Sequence, residues 1–384
     1  MKRLFVLISL AMSLAAYSEN RGPAVRGESS IIALNPDKEV VPKLLSARRN
    51  AARHDSPDAL QSLTLLHFTD LHGARENLER IVEFYDYYDE YIDDAIHTGD
   101  GVTCYYDDVN WWNEVAGARR ILNIVGNHDN WKGKKVWAET NYPYDATQED
   151  VYKSVMTGND ASNPFVKGWG VIQPQGADNP DSEDFCACYY YKDYPSSKVR
   201  MIVLDCMHYF ERQDAWFREV LSDAQEKGLL VIGVTHFPPQ SGLDIFESGF
   251  SPLHGRMEGV PDPVDSQMER MPDAAYSSVD WFIGNGGKFV CWLSGHTHSD
   301  YIGTVAGHGG QVVVIVDKGG EGDGYMTEDR TPGTRNQDAF NLVTVNPSKG
   351  IFVVDRIGCN RDSMMRSKKL FVFDYANGKI LVNE

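Results

Sequence analysis

The chain has 384 residues, enough for one large α/β domain or two ordinary ones, and its 42% hydrophobic and 24% charged content fits a globular protein with a sizeable core. Its 37 Lys and Arg against 55 Asp and Glu give a formal charge of −18, which argues against a nucleic-acid-binding surface because such a surface needs a cationic face. The same charge means that an anionic substrate would need strong local positive charge, of the kind bound metal ions supply.

The N-terminus reads as an export signal over residues 1–18: basic Lys2 and Arg3, an apolar run over 4–14, and small residues in Ala16-Tyr17-Ser18 where a signal peptidase cuts. The apolar run is shorter than the ~20 residues of a spanning helix, so no membrane span is expected and the mature protein would be periplasmic or extracellular. Residues 19–60 show no clear periodicity and read as a linker. The remainder, 61–384, reads as one domain with loop insertions at 131–184 and 237–276.

Within that domain a strand over 63–68 runs into Thr69-Asp70-Leu71-His72. A helix over 77–91 follows, with Leu78, Ile81, Val82 and Tyr85 on one face. A short strand over 94–97 ends in Gly99-Asp100-Gly101, and a helix is predicted over 111–119. The next strand, 121–125, stops at Gly126-Asn127-His128-Asp129. The irregular stretch 131–184 carries one predicted helix near 148–156, with Thr147 and Asp150 in a capping-box relation. Strands at 185–191 and 198–205, a helix at 213–227 and a strand at 229–234 lead to Thr235-His236-Phe237-Pro238. The aperiodic, proline-containing stretch behind it reads as a substrate-side lid. A helix at 277–283 and a strand at 289–293 deliver Ser294-Gly295-His296-Thr297-His298. The rest is β: a strand at 311–317, two strands within 340–357, and a hairpin over 370–382 turning at Asn377-Gly378.

Six cysteines, Cys104, Cys186, Cys188, Cys206, Cys291 and Cys359, allow up to three disulfides in an exported protein, although Cys206 and Cys291 lie in apolar runs and read as buried free thiols. None stands at zinc-ligand spacing.

Five times, then, a β-like run stops and immediately presents Asp, Asn or His: Asp70 with His72, Asp100, Asn127 with His128 and Asp129, His236, and His296 with His298. Each alone is ordinary loop chemistry. Together they match the placing of ligands at the carboxyl ends of strands in open α/β sheets, where chain-distant corners meet at one edge. Mixed carboxylate, amide and imidazole ligands suit Mn, Zn, Fe or Ni.

These corners, in this order, resemble the calcineurin-like metallophosphoesterases, whose pattern is Asp-x-His, Gly-Asp-x-x-Asp, Gly-Asn-His-Asp/Glu, a later single His, and Gly-His-x-His; the match covers roughly residues 63–300. The resemblance implies an α/β fold, a four-layer α-β-β-α sandwich of two mixed sheets flanked by helices, with the C-terminal strands completing the second sheet. It implies two divalent ions, one held by Asp70, His72 and His298, the other by Asn127, His236 and His296, with Asp100 bridging through its two carboxylate oxygens. The activity implied is hydrolysis of a small-molecule phosphoester: a hydroxide shared by the ions attacks phosphorus in line, His128 assists the leaving group, and Asp129 orients that imidazole. Asn127 and His128 would also contact the substrate, as would Arg75. No protein partner is implied.

The chain departs from the pattern at Thr103, where the second Asp of Gly-Asp-x-x-Asp is expected; Asp107 or Asp108 could substitute, and Tyr105 is two residues too late for a purple-iron tyrosine ligand. Thr235 stands where many relatives carry a second histidine. Lys132, Lys134 and Lys135 near the corners, with His208, His254 and Arg256 further on, are weaker anion-binding candidates, and Trp111, Trp112, Trp131 and Trp169 read mainly as packing. The alternative is a metal-supported binding scaffold with little turnover. Another kind of metallohydrolase finds no support, since the chain has neither a His-Glu-x-x-His helix nor a Gly-x-Ser-x-Gly elbow.

Overall fold

The structure, a computed structural model, describes residues 30–48, 60–101, 112, 114–116, 121–129, 152, 170–207, 209, 211–245, 271–298, 300–316, 319, 330–359 and 369–384. Along the chain these form α1 (Ile31–Leu34), α2 (Asp37–Arg48), β1 (Leu63–Phe68), α3 (Arg75–Tyr87), β2 (Asp94–His97), β3 (Ile121–Asn123), β4 (Val171–Ile172), β5 (Tyr190–Tyr194) and β6 (Val199–Val203). There follow α4 (Glu211–Glu226), β7 (Leu230–Val234), β8 (Leu243–Ile245), α5 (Asp273–Gly284), β9 (Lys288–Ser294), β10 (Tyr301–Val305), β11 (Val312–Ile315), β12 (Ala339–Asn346), β13 (Ile351–Gly358), β14 (Leu370–Asp374) and β15 (Lys379–Asn383).

β1 is buried at all six positions, the mark of a strand covered on both faces. It sits inside a seven-stranded sheet of order β15-β14-β13-β12-β1-β2-β3, in which β1, β2 and β3 run parallel and β12 to β15 antiparallel. The second sheet, β4-β5-β6-β7-β9-β11-β10-β8, has a parallel centre of β6, β7, β9 and β11 with antiparallel edges. Leu65, Ile96 and Leu122 of the first sheet meet Met201, Ile232 and Cys291 of the second in the central core. α3 covers the outer face of the first sheet, burying Leu78, Ile81 and Phe84 against Leu66, Phe68 and Phe340. α4 and α5 cover the second, with Phe217, Tyr276 and Phe282 against Val231 and Trp292. The result is the expected four layers of two mixed sheets between helices.

Several expectations are corrected. Within the stretch expected to be a linker, α1 and α2 bury Ile31, Ile32, Val40 and Leu44 in the cluster that holds α3. Ser30 donates to Glu83 at 2.7 Å, and Tyr88 donates to Asp37 at 2.9 Å. One helix is a single turn and the other has Pro42 inside, so neither leaves a long periodic signal. The C-terminal strands extend the first sheet, not the second, because β12 pairs antiparallel with β1 from Leu63↔Val345 to His67↔Asn341 and so satisfies an edge β2 leaves open. β5 begins at Tyr190 and residues 185–189 turn instead, while β8 and β10 were missed because each is short and lies beside glycines. The five described cysteines are buried, and none of the pairings allowed by the count is made among the described residues. The expected helix at 111–119 is described only at Trp112 and residues 114–116, and that near 148–156 only at Tyr152. Residues 1–18, 246–270 of the expected lid, and Cys104 lie outside the described residues.

Asp355 on β13 is 6% exposed, and burial, only partly offset by the Lys43 ammonium, raises its pKa from 3.8 to about 6. The folded state therefore resists ionising a carboxyl that the unfolded chain ionises freely. Stability from this group falls as pH rises from about 4 to 6 and stays low above that, a cost of up to about 3 kcal/mol. Asp355→Asn is expected to be more stable than the parent at pH 7 by about 1–2 kcal/mol, allowing for the loss of the Lys43 pairing, and equal to it near pH 4. Denaturant midpoints measured across pH 4 to 8 for both proteins check this; parallel curves would remove the assigned role.

Candidate metal centre

β1, β2 and β3 and the parallel strands β7 and β9 end at one edge of the sandwich, and the five corners meet there. The backbone is bent hard to achieve it. Asp70, His72, Asp100, His296 and His298 all adopt left-handed φ, between 47° and 72°. For residues with a Cβ this costs on the order of 1 kcal/mol each, and such strain gathers where function over-determines the backbone. Two glycines make the close approach possible. Gly99 has φ +94° and a Cβ there would fall on the His236 ring; a Cβ on Gly126 would fall on the Asp100 carboxylate.

The two carboxylates are arranged alike. Asp70 Oδ2 accepts from Thr69 Oγ1 at 2.6 Å and from the His296 backbone N–H at 2.8 Å. Asp100 Oδ1 accepts from the His128 backbone N–H at 2.8 Å. The other oxygen of each, Asp70 Oδ1 and Asp100 Oδ2, is buried and accepts no hydrogen bond. Both face imidazole nitrogens. Asp70 Oδ1 lies 3.3 Å from His298 Nε2 and 3.6 Å from His72 Nε2, and those two nitrogens are 2.7 Å apart. Asp100 Oδ2 lies 3.3 Å from His236 Nε2, 3.9 Å from His128 Nε2 and 4.0 Å from His72 Nε2. Asn127 Oδ1 is 3.1 Å from both His236 Nε2 and His296 Nδ1.

Two clusters result, Asp70-His72-His298 and Asp100-His236-His296, the second closed by Asn127, and a third grouping of His72, Asp100 and His128 joins them. Both expected ligand trios are thus brought together with Asp100 between them. The correction is that Asp100 faces both through one oxygen, Oδ2, because Oδ1 is spent on the His128 N–H.

Electrostatics favour a cation. Burial opposes ionising Asp70, yet the His298 and His72 imidazoles hold its pKa well below the usual range. Asp100 is likewise held low, by His236 and His128 against burial. Burial also opposes charge on His236, but the Asp100 carboxylate and then Asp70 raise its pKa to about 10. The negative potential that raises it also favours a metal cation there. Burial lowers His296 to about 3 and His128 to about 4, so both present neutral lone pairs. His236 Nδ1 lies 2.6 Å from the Thr98 carbonyl, which only accepts; Nδ1 therefore carries the proton and Nε2 is left for the site. Orphaned carboxylate oxygens beside converging imidazole and amide donors are the donor set of a divalent-metal site.

Other expected residues are placed differently. Asp129 Oδ2 accepts from the Asp100 N–H at 2.8 Å and the Gly126 N–H at 2.9 Å, so it ties two corners together. Arg75 is half-exposed and paired with Glu79 at 2.8 Å and Glu114 at 3.2 Å. Trp112 packs on His97 with ring centroids 4.7 Å apart, in keeping with a packing role. Thr235 is buried and its backbone N–H donates to Leu293 O. Thr103, Tyr105, Asp107, Asp108, Lys132, Lys134, Lys135, His208, His254, Arg256, Trp111, Trp131 and Trp169 lie outside the described residues. Thr69 and Thr98 were missed; the first was legible as a hydroxyl next to Asp70, whereas the second acts through a backbone carbonyl that no side-chain pattern marks.

Among solved structures, a dimetal phosphatase from Danio rerio shares 11% identity at a TM-score of 0.46, covering 79% of this chain and 99% of its own. GAP50, the anchor in the inner membrane complex of Plasmodium, shares 13% at 0.41 over 80% and 90%, and a metallophosphoesterase from Sphaerobacter thermophilus 12% at 0.26 over 77% and 89%. No curated protein matches the chain. The family model described as calcineurin-like phosphoesterase matches residues 63–300, more than half of the sequence and all five corners. The chain belongs to the calcineurin-like phosphoesterase family.

Proposed function

We propose that the protein is an exported, metal-dependent hydrolase of small phosphoesters, with a dinuclear site built on the seven ligands above. The observation that carries this reading is the convergence of Asp100 Oδ2 on imidazoles from both clusters, His236 at 3.3 Å and His72 at 4.0 Å. Asp70, His72 and His298 would hold one ion, Asn127, His236 and His296 the other, and Asp100 Oδ2 would contact both. When bound, a pair of divalent ions supplies Lewis-acid stabilisation of phosphoryl charge and activation of a water nucleophile. It also supplies the positive charge that a chain of net charge −18 otherwise lacks for an anion.

The protein's own groups do the rest. The His128 ring packs edge-on against His72 with centroids 4.4 Å apart, beside the first cluster. From there its ring N–H hydrogen-bonds a phosphoryl oxygen or, once the ring has taken a proton from solvent, it passes that proton to the departing alkoxide. Asn127 holds a position between His236 and His296, and Asp129 keeps its corner in register with Asp100. Export rests on the basic-then-apolar start of the sequence, and no helix among the described residues is long and apolar enough to cross a membrane.

Protein loaded in turn with Mn, Zn, Fe or Ni and assayed on aryl phosphate monoesters and diesters tests the proposal. Turnover should vanish on chelation and return with metal. Folded protein that binds two ions yet hydrolyses neither ester class would favour the scaffold reading, and folded protein that binds no stoichiometric ion would end both.

A further inference from the structure

β13 alternates Phe352, Val354 and Arg356 along the face that points at the second sheet; the first two sit in the central core, and the third carries a full charge into it. The Arg356 side chain is 2% exposed. Burying a guanidinium this deeply is costly unless a carboxylate meets it. Its partner is Asp300, which Arg356 Nη2 contacts directly, while Nε and Nη1 make no hydrogen bond. The pair crosses the sandwich, since Arg356 belongs to the seven-stranded sheet and Asp300 immediately precedes β10 of the other. Arg356 reaches the site end of the core: it stands beside Asn341, which stands beside His67, across three neighbouring strands. Burial, and next the Arg356 charge, lower the His67 pKa to about 3.

Asp300 is two residues beyond His298, with only Ser299 between them. His298 itself is held at φ 52°, a conformation that relaxes unless both sides of the loop are fixed. The entry side is fixed by the His296 N–H on Asp70 Oδ2. We infer that Arg356, acting through Asp300, fixes the exit side and so positions His298 Nε2 beside His72 and Asp70 for metal binding. This rests on the two-ion reading above, but it adds a residue from outside the matched segment 63–300. Arg356 is a positioning residue for one of the two ions, and the Asn127-His236-His296 ion does not depend on it.

The test is cobalt(II) binding to the purified protein, followed by visible absorption and calorimetry, with His72→Ala and His236→Ala used to assign each binding step to its cluster. Arg356→Met/Asp300→Asn removes both charges and leaves neither buried alone. It should keep the parent circular dichroism and bind the second ion normally, while affinity at Asp70-His72-His298 falls about 10- to 100-fold, the usual effect of losing a group that orients a ligand. Arg356→Lys keeps the charge pair without the planar fork and should lower affinity at that cluster alone, by about 3-fold. Should the double variant not fold, Arg356→Lys decides alone: a small loss confined to the first cluster supports the inference, and equal binding or equal loss at both clusters overturns it. Unchanged affinity, or equal loss at both, in a folded double variant likewise overturns it. A parent protein that binds fewer than two ions would instead strike at the proposed function and leave this arm recognisably separate.

Discussion

Asp100→Ala is expected to lower kcat/KM on an aryl phosphate by at least about 10³-fold, roughly 4 kcal/mol of transition-state stabilisation, with bound metal falling below one ion per chain. The Asp100 side chain faces imidazoles of both clusters, and its two oxygens do different work. Oδ2 is the shared donor, and Oδ1 fixes the His128 backbone at 2.8 Å. Asp100→Asn separates the two. The amide keeps an acceptor for the His128 N–H but removes the negative charge that, with Asp70, holds a proton on His236 up to about pH 10. The Asn variant should therefore stay folded, bind metal weakly, and recover part of its activity at high metal concentration, whereas the Ala variant should not. Elemental analysis of dialysed protein beside a metal titration of activity reads this out. Full occupancy and near-parental turnover in Asp100→Ala would mean that Asp100 Oδ2 is not a ligand.

His128→Asn is expected to act on the opposite quantity. Its ring nitrogen lies 3.9 Å from Asp100 Oδ2 and it belongs to neither of the two proposed ligand sets, so metal content should be preserved while kcat falls about 10²- to 10⁴-fold. If the imidazole delivers a proton to the leaving oxygen, the loss must grow with the basicity of that oxygen. It should be smallest for 4-nitrophenyl phosphate, larger for phenyl phosphate and largest for an alkyl ester. A loss of the same size for all three would assign His128 to phosphoryl binding alone, and no loss would remove it from the mechanism.

The chemistry of the site was legible because metal ligation depends on residue type and on the ends of strands, and both leave marks in a linear sequence. Each of Asp70, His72, Asp100, Asn127, His236, His296 and His298 follows a β-like run, and the structure brings all of them to one edge. The core face of α3 was legible for the same kind of reason, since Leu78, Ile81, Val82 and Tyr85 recur at helical spacing and all are buried.

What the sequence by itself determined, then, was which side chains could bind a cation, the strands that carry them, and the four-layer arrangement implied by their order. Tertiary structure alone decided how each group is used. The spare oxygen of Asp100 and the backbone role of Asp129 follow from hydrogen bonds between corners about thirty residues apart, and the ion pair of Arg75 with Glu114 joins more distant stretches still. The joining of β12 to β1, the burial of α1 and α2, and the meeting of Arg356 with Asp300 were equally unreadable. The physical reason is one of range: propensity and periodicity are local, whereas a buried charge or an open strand edge finds its partner only when the chain has folded around it.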